Sequence, residues 1–374
     1  MREKWLKILI YLTGIICMYF FLAVRIKPLF NTILTENVLD GYWENVKYGE
    51  LYYFGQVKHF REDLPTYSPD RKYRFTNRHP NVEDADILTF GDSFFDFSRL
   101  VTFPEQLGNT MNKKVHYARM DLPLDYLKER NYQSEETKIL IYESVEYYIP
   151  IKFKQTHENN FVPDNRSWPR KALAEARDFV FYENTENNYS LILSRSYLTS
   201  WIYTAISTFK FDAFNYITKL TPEYSLDYDI PWLFYGEHIN APMIGHDYMH
   251  TNDEIDTLCN RIASLAFQLK EYYNIQMVFF PVPAKYTICH YLINNKPYNN
   301  FLPRIYEGLE KRGVPVIKIY EDYAGSKEIL YYGTDTHWNQ KGQDIAIKKT
   351  IEVLDSLIGN NKLITYTGLS KNMN

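Results

Sequence analysis

The stretch Ala85-Asp86-Ile87-Leu88-Thr89-Phe90-Gly91-Asp92-Ser93-Phe94 runs from a short apolar segment into Gly-Asp-Ser. A short apolar run closed by a turn signal reads as a strand buried on both faces. It delivers Ser93 to a sharp turn ahead of a helix. Ligands of open α/β sheets lie at the carboxyl ends of the strands, so the serine is placed to act as a nucleophile. Gly-Asp-Ser also arises for turn reasons alone. The tripeptide gains meaning from Gly333-Thr334-Asp335-Thr336-His337-Trp338-Asn339, near the other end of the chain. A serine hydroxyl is unreactive until a base takes its proton. Of nine histidines, His337 is the best candidate for that base, because Asp335 stands two positions away and can fix its tautomer. Ser93, His337 and Asp335 thus form a set recognised by geometry rather than by chain order.

Outward from Ser93 the pattern alternates. Expected strands are Asp86–Phe90, Lys114–Met120, Lys138–Ser144, Ile275–Phe280 and Pro315–Tyr320. Between them lie a helix start at Phe103-Pro104, a short helical segment around Leu124–Arg130, and helices Asn252–Tyr273 and Asn300–Arg312. In Asn252–Tyr273 the apolar positions Ile255, Leu258, Ile262, Leu265, Ala266 and Leu269 recur at three- and four-residue steps. A closing helix, Gln340–Ile358, has Asn339 as its cap. Alternating strands and helices predict an α/β fold: a five-stranded parallel sheet, doubly wound in the order 2-1-3-4-5. Ser93, Glu143 and Glu146 would then flank one crevice at the switch point. Residues 150–250 break the alternation and read as a helical insertion. Within it, Leu191–Ile217 is rich in apolar and aromatic residues but carries Arg195, Lys210 and Asp212. That is too polar for a membrane span and fits a packed or an interfacial helix.

Trp5 to Val24 form a nearly unbroken apolar run, with Arg2, Lys4 and Lys7 before or at its start. Twenty helical residues span about 30 Å, one hydrocarbon core. The exit, Phe21-Leu22-Ala23-Val24-Arg25, offers no small-x-small cleavage site. An uncleaved signal anchor over residues 1–25 is therefore favoured over a cleaved signal peptide. The basic N-terminus places it on the cytoplasmic side and the large domain outside, although Arg25 and Lys27 follow the span. Residues 26–81, mixed and tyrosine-rich, read as a membrane-proximal stalk, 82–360 as the main domain, and 361–374 as a tail.

The 374 residues carry a net charge of −4 with no long basic run, which argues against nucleic acid as a partner. Hydrophobic residues make up 45% of the chain, enough for a substantial core. There are 34 tyrosines, whose ordinary use is core and interface packing and whose further use is stacking on sugars. Cys17, Cys259 and Cys289 show no metal-site spacing, and two of them could pair outside the cytoplasm; no cofactor is expected. Asp92 reads as a brace for the turn and Trp338 as packing for the loop, with substrate contact as the alternative.

Gly-Asp-Ser after the first strand, with Asp-x-His-Trp-Asn before the last helix, resembles the SGNH hydrolase superfamily. The closer likeness is to its alginate O-acetyltransferase-like branch, to which Pro281-Val282-Pro283-Ala284-Lys285-Tyr286 is also similar. The resemblance covers roughly residues 82–360 without the insertion. It implies a three-layer α/β/α (flavodoxin-like) fold and a metal-free serine acyl-enzyme: Ser93 the nucleophile, His337 the base, Asp335 its orienting acid. For the branch it implies acetyl transfer on an extracytoplasmic polysaccharide. The implied partner is a multi-spanning membrane acyltransferase that supplies the acetyl group. Some features depart from the pattern. Only Thr336 separates acid from histidine, as in the branch rather than the wider superfamily. Alginate members place Asp-x-His before the serine, and this chain does not. The oxyanion glycine after strand 2 is replaced by Arg119-Met120-Asp121, and the asparagine after strand 3 by Glu143-Ser144-Val145-Glu146. Arg119 is the candidate substitute donor; Glu143 and Glu146 are candidates for sugar hydroxyls or for bonds to the backbone. Three function classes follow: an O-acetyltransferase on an envelope glycan, an acetyl esterase, and a non-catalytic glycan-binding or assembly protein.

Overall fold

The computed structural model describes residues 2–30, 47–65, 81–97, 99–119, 122–154, 168–169, 172–173, 177, 180–181, 186–195, 199–293 and 296–359. The tail 361–374 and most of the expected stalk lie outside them. The chain divides into two compact units, one of residues 1–61 with 158–218, the other of 62–157 with 219–374.

The second unit is built on a parallel sheet of four strands: β1 (Ile87–Gly91), β2 (Val115–Arg119), β3 (Lys138–Val145) and β6 (Ile275–Val282). Their spatial order is β2-β1-β3-β6, with Gly91 opposite Arg119, Phe90 opposite Tyr142 and Glu143 opposite Phe280. This is the expected order of the first four strands. The expected fifth strand contributes one parallel bridge, between Phe279 and Val316. Two hydrogen bonds make it, Phe279 N to Pro315 O and Ile317 N to Phe279 O, both 2.9 Å. Pairing stops there because the backbone turns helical at Ile319 and Tyr320–Ala324 is already a helix.

Side chains alternate across the pleat. Leu88, Phe90, Leu140, Tyr142, Met277 and Phe279 pack in one core with helices Asn252–Tyr273 and Phe301–Glu310. Ile87, Ile141, Val278 and Phe280 belong to a second core with Phe103 and Leu107 of Phe103–Met111 and Ala346, Ile347 and Leu354 of Gln340–Gly359. Helices therefore cover both faces of the sheet. Asn252–Tyr273 is closed at its start by a capping box, in which Thr251 and Glu254 satisfy each other's backbone N–H. In the closing helix Asn339 Oδ1 accepts from Lys341 N at 3.0 Å and Gly342 N at 3.2 Å. The later part of the expected insertion adds an antiparallel pair, β4 (Glu223–Ser225) and β5 (Trp232–Phe234), to this unit.

The first unit holds the apolar helix Arg2–Ala23 and the helices Glu50–Gly55, Glu186–Arg195 and Ser200–Phe214. Lys4–Ala23 has a mean hydropathy of 2.1 and is long and apolar enough to cross a membrane. Only 6% of that window is buried, unlike the core helix of a soluble domain.

Candidate functional site

β1 ends at Gly91, and the chain turns through Asp92, Ser93 and Phe94. Gly91 is required by close approach rather than by its dihedrals: a Cβ there would lie 2.5 Å from Glu143 Oε2. That carboxylate oxygen accepts the Asp92 N–H at 2.7 Å, and Asp92 Oδ1 accepts the Phe94 N–H at 3.0 Å. Both bonds fix the backbone on either side of Ser93. Asp92 is thus a turn brace, and Glu143 a strut between β3 and the turn. Burial, and then the Asp92 charge, push Glu143 well above the usual carboxyl range.

The other half of the site lies on a tight loop. Tyr331 and Trp338 form an antiparallel bridge, and Tyr332 N donates to His337 O at 3.2 Å. Gly333 sits at the crowded tip, where a Cβ would meet the Pro231 carbonyl oxygen at 2.1 Å. Within this loop Asp335 Oδ1 accepts from His337 Nδ1 at 2.6 Å and from the His337 backbone N–H at 3.2 Å. His337 Nε2 stands 2.8 Å from Ser93 Oγ. The structure therefore brings Ser93, His337 and Asp335 into one hydrogen-bonded series. With Nδ1–H given to Asp335, Nε2 keeps its lone pair toward the serine hydroxyl.

Three side chains that sequence reasoning did not single out hold this loop. Lys285 is buried, and its Nζ donates to the carbonyls of Leu233, Gly333 and Asp335 at 2.8, 2.6 and 3.1 Å. Glu62 Oε2 accepts from Thr334 N at 2.8 Å and Thr334 Oγ1 at 2.7 Å. Arg99, only 3% exposed, places Nε 3.8 Å from Asp335 Oδ2. Burial alone would raise the Asp335 pKa, but the His337 ring and its hydrogen bond, with the Arg99 charge, bring it below the usual carboxylate range. Asp335 is therefore ionised at neutral pH. Phe97 stacks on the His337 ring, with centroids 4.2 Å apart and planes 11° apart, and fixes its tilt. Lys285 lies in the Pro281–Tyr286 stretch already quoted for its likeness; Glu62 and Arg99 carried no local signal.

The remaining candidates meet other partners. Glu143 and Glu146 do not line a crevice with Ser93. Glu143 is fully buried under the turn. Glu146 is 7% exposed and accepts from Ala284 N at 3.0 Å and Tyr298 OH at 2.6 Å, so both carboxylates serve the protein's own donors. Trp338 is fully buried and gives its indole N–H to Gln343 Oε1 at 3.2 Å, which leaves it nothing to offer a substrate. Arg119 is more than half exposed at the end of β2, with Nη1 3.5 Å from Asp96 Oδ2. The Ser93 N–H makes no hydrogen bond among the described residues.

A second cluster lies behind Glu146, where His238, His246 and His250 line a small cavity. Burial is the leading cause of their lowered pKa values, to about 3 for His238 and about 4 for His250. All three are neutral at pH 7.

Chemically, the Ser93–His337–Asp335 series can move a proton from the serine to the histidine and balance the resulting imidazolium against a buried carboxylate. Compared with protein-family models, with curated proteins and with solved structures, the chain matches none.

Proposed function

We propose that this chain is a membrane-anchored serine acyl-enzyme: an O-acetyltransferase acting on a polysaccharide outside the cytoplasm. The observation that carries this reading is the continuous series Ser93 Oγ, His337 Nε2, His337 Nδ1, Asp335 Oδ1 at the carboxyl end of a parallel sheet, with contacts of 2.8 and 2.6 Å. The likeness of its Gly-Asp-Ser and Asp-x-His-Trp-Asn motifs to the acetyltransferase branch of the SGNH hydrolases supplies the acyl group and the acceptor class. The bridge at Val316 is read as what remains of that family's fifth strand.

In the proposed reaction Ser93 Oγ attacks the acetyl carbonyl of a donor while its proton passes to His337 Nε2. The tetrahedral oxyanion is met by the Ser93 N–H. Its collapse breaks the bond to the leaving group, which takes the proton from His337, and leaves acetyl-Ser93. A sugar hydroxyl then attacks this ester and gives its proton to His337. Collapse releases the acetylated sugar and returns the proton to Ser93. Asp335 remains ionised throughout and holds the ring. A multi-spanning membrane acyltransferase is the proposed acetyl supplier, and helix Arg2–Ala23 the anchor that keeps the domain near it.

The test is incubation of the full-length protein with an activated acetyl ester, with and without glycan acceptor, followed by intact-mass and glycan analysis. Expected is one acetyl adduct on the wild type, absent from Ser93→Ala, and acetylated glycan as product. Free acetate without acetylated glycan would replace the transferase reading with an esterase. Undiminished glycan acetylation by Ser93→Ala would overturn the mechanism.

A further inference from the structure

The helix Ser200–Phe214 is built inside out. The face it turns to its own unit carries Tyr203, Thr204, Ser207, Thr208 and Phe211, all buried or half-buried. Polar contacts hold this face: Thr204 Oγ1 donates to Gln56 Oε1 at 3.3 Å, and Lys58 N donates to Thr208 Oγ1 at 3.1 Å. The opposite face carries Trp201, Ile202, Ala205, Ile206, Phe209 and Ala213, all exposed, with exposed Asp212 in line with Trp201 and Lys210 at its edge. Trp201, Phe209 and Phe214 are 67, 65 and 73% exposed. A helix on a water-facing surface buries its apolar stripe and exposes its polar one. Here Thr204, Ser207 and Thr208 are turned inward beside Tyr203 and Phe211, and a largely apolar face interrupted by Asp212 is presented, an arrangement that calls for an apolar medium outside the protein.

The same unit indicates which medium. The end of helix Arg2–Ala23 is tied to helix Glu186–Arg195: Asn188 Nδ2 donates to Val24 O at 2.8 Å, and Ile192 packs with Ala23, Val24 and Phe30. Gln56, fully buried, then joins that helix to the inverted one, donating through Nε2 to Ser194 O at 2.8 Å while it accepts from Thr204. The apolar face is thus linked through one buried glutamine to the mouth of the membrane-crossing helix. Beside it, Lys58 and Arg61 line an open cleft of about 500 Å³ together with Trp201, Phe209 and one carboxylate, Asp212, which His59 meets at 2.8 Å. Cations and tryptophan at the rim of an apolar face match phospholipid headgroups over acyl chains.

We propose that the outward face of helix Ser200–Phe214 lies in the interfacial layer of the same bilayer that helix Arg2–Ala23 spans. The chain then meets the membrane at two places, and the first unit is a platform lying on the lipid surface rather than a body swinging on a tether. This rests on the anchoring reading above but not on the chemistry.

The test uses the full-length chain in phosphatidylcholine–phosphatidylglycerol vesicles, with or without lipid brominated in the upper acyl chain. Trp201 emission is isolated by subtracting the spectrum of Trp201→Phe. An interfacial helix sits about 5–10 Å into the headgroup–acyl boundary, so the Trp201 component should lose about half its intensity in brominated vesicles. Ile206→Asp/Phe209→Asp should restore that intensity while the protein still co-floats with vesicles through its N-terminal helix. Co-flotation with an unquenched Trp201, the outcome expected if another protein covers this face, would overturn the proposal alone. Equal quenching in the double variant would also overturn it. Loss of wild-type co-flotation would overturn the anchor, and the proposal with it.

Discussion

Asp335→Asn separates orientation of the base from its presence. The carboxylate oxygen Oδ1 serves two donors on one residue, the His337 backbone N–H at 3.2 Å and Nδ1–H at 2.6 Å. In the carboxamide an oxygen at the Oδ1 place sets the NH₂ against the Arg99 guanidinium, 3.8 Å from Oδ2; turning the amide to give Arg99 the oxygen sets the NH₂ against Nδ1. Two donors cannot face each other, so the ring adopts the other tautomer and presents Nε2–H to Ser93. That nitrogen no longer accepts the serine proton. Wrong-tautomer loss in such a relay is on the order of 10⁴ in kcat, about 5.4 kcal/mol of transition-state stabilisation. The substitution also strips Arg99, 3% exposed, of the carboxylate 3.8 Å away. Removing one partner of a buried pair costs on the order of 3 kcal/mol of stability. The two effects are separable: Asp335→Asn with Arg99→Met should recover much of the stability, while acylation stays slow because a neutral amide leaves the imidazolium unbalanced. The assay is single-turnover formation of the acetyl adduct, alongside urea unfolding of each variant. A folded Asp335→Asn that acylates within tenfold of wild type would refute the orientation argument.

Lys285→Met leaves three buried carbonyls without their donor; at roughly 1–3 kcal/mol for each unsatisfied group after partial relaxation, a total loss near 3 kcal/mol is expected in urea unfolding, with slower acylation because the Asp335 loop loosens. Glu143→Gln keeps an acceptor for the Asp92 N–H without an ionisable group. Since Glu143 has its pKa raised, its penalty in the wild type grows as pH rises above the unfolded-state value near 4.5. The variant should therefore gain thermal stability over wild type most clearly at pH 8, and an equal or lower melting temperature there would count against a raised Glu143 pKa. His238, His246 and His250 are held below the ordinary histidine value of 6.5. The unfolded chain takes up their protons first, so stability should fall as pH drops from 6.5 toward 4, by about 1.4 kcal/mol per pH unit for His238 and for His250, with His246 adding in the same direction. Replacing His238 by Phe, which can stack on Tyr147 as the imidazole does, should flatten that slope by one proton.

Much of this architecture is local and was therefore legible in the sequence. The buried strands are short apolar runs, the helix Asn252–Tyr273 has its period and cap written in Thr251 and Glu254, and the residues of the relay stand in two recognisable stretches. The apolar N-terminal helix follows from length and composition alone. What the tertiary structure decided are contacts between residues far apart in the chain, for which no periodicity exists. Glu62 meets Thr334 across 272 positions and Lys285 meets the Gly333 loop across 48, so neither neighbourhood announces its role. Glu143 and Glu146 stand at the carboxyl end of β3 as expected of substrate ligands, yet the fold presents backbone and tyrosine donors to them, and burial turns both inward. The Pro315–Tyr320 run has strand composition, but whether it pairs depends on where the backbone turns helical. Helix Ser200–Phe214 shows the same division: its composition marks it as apolar, and only its packing on Gln56 and Lys58 determines that the apolar side faces out.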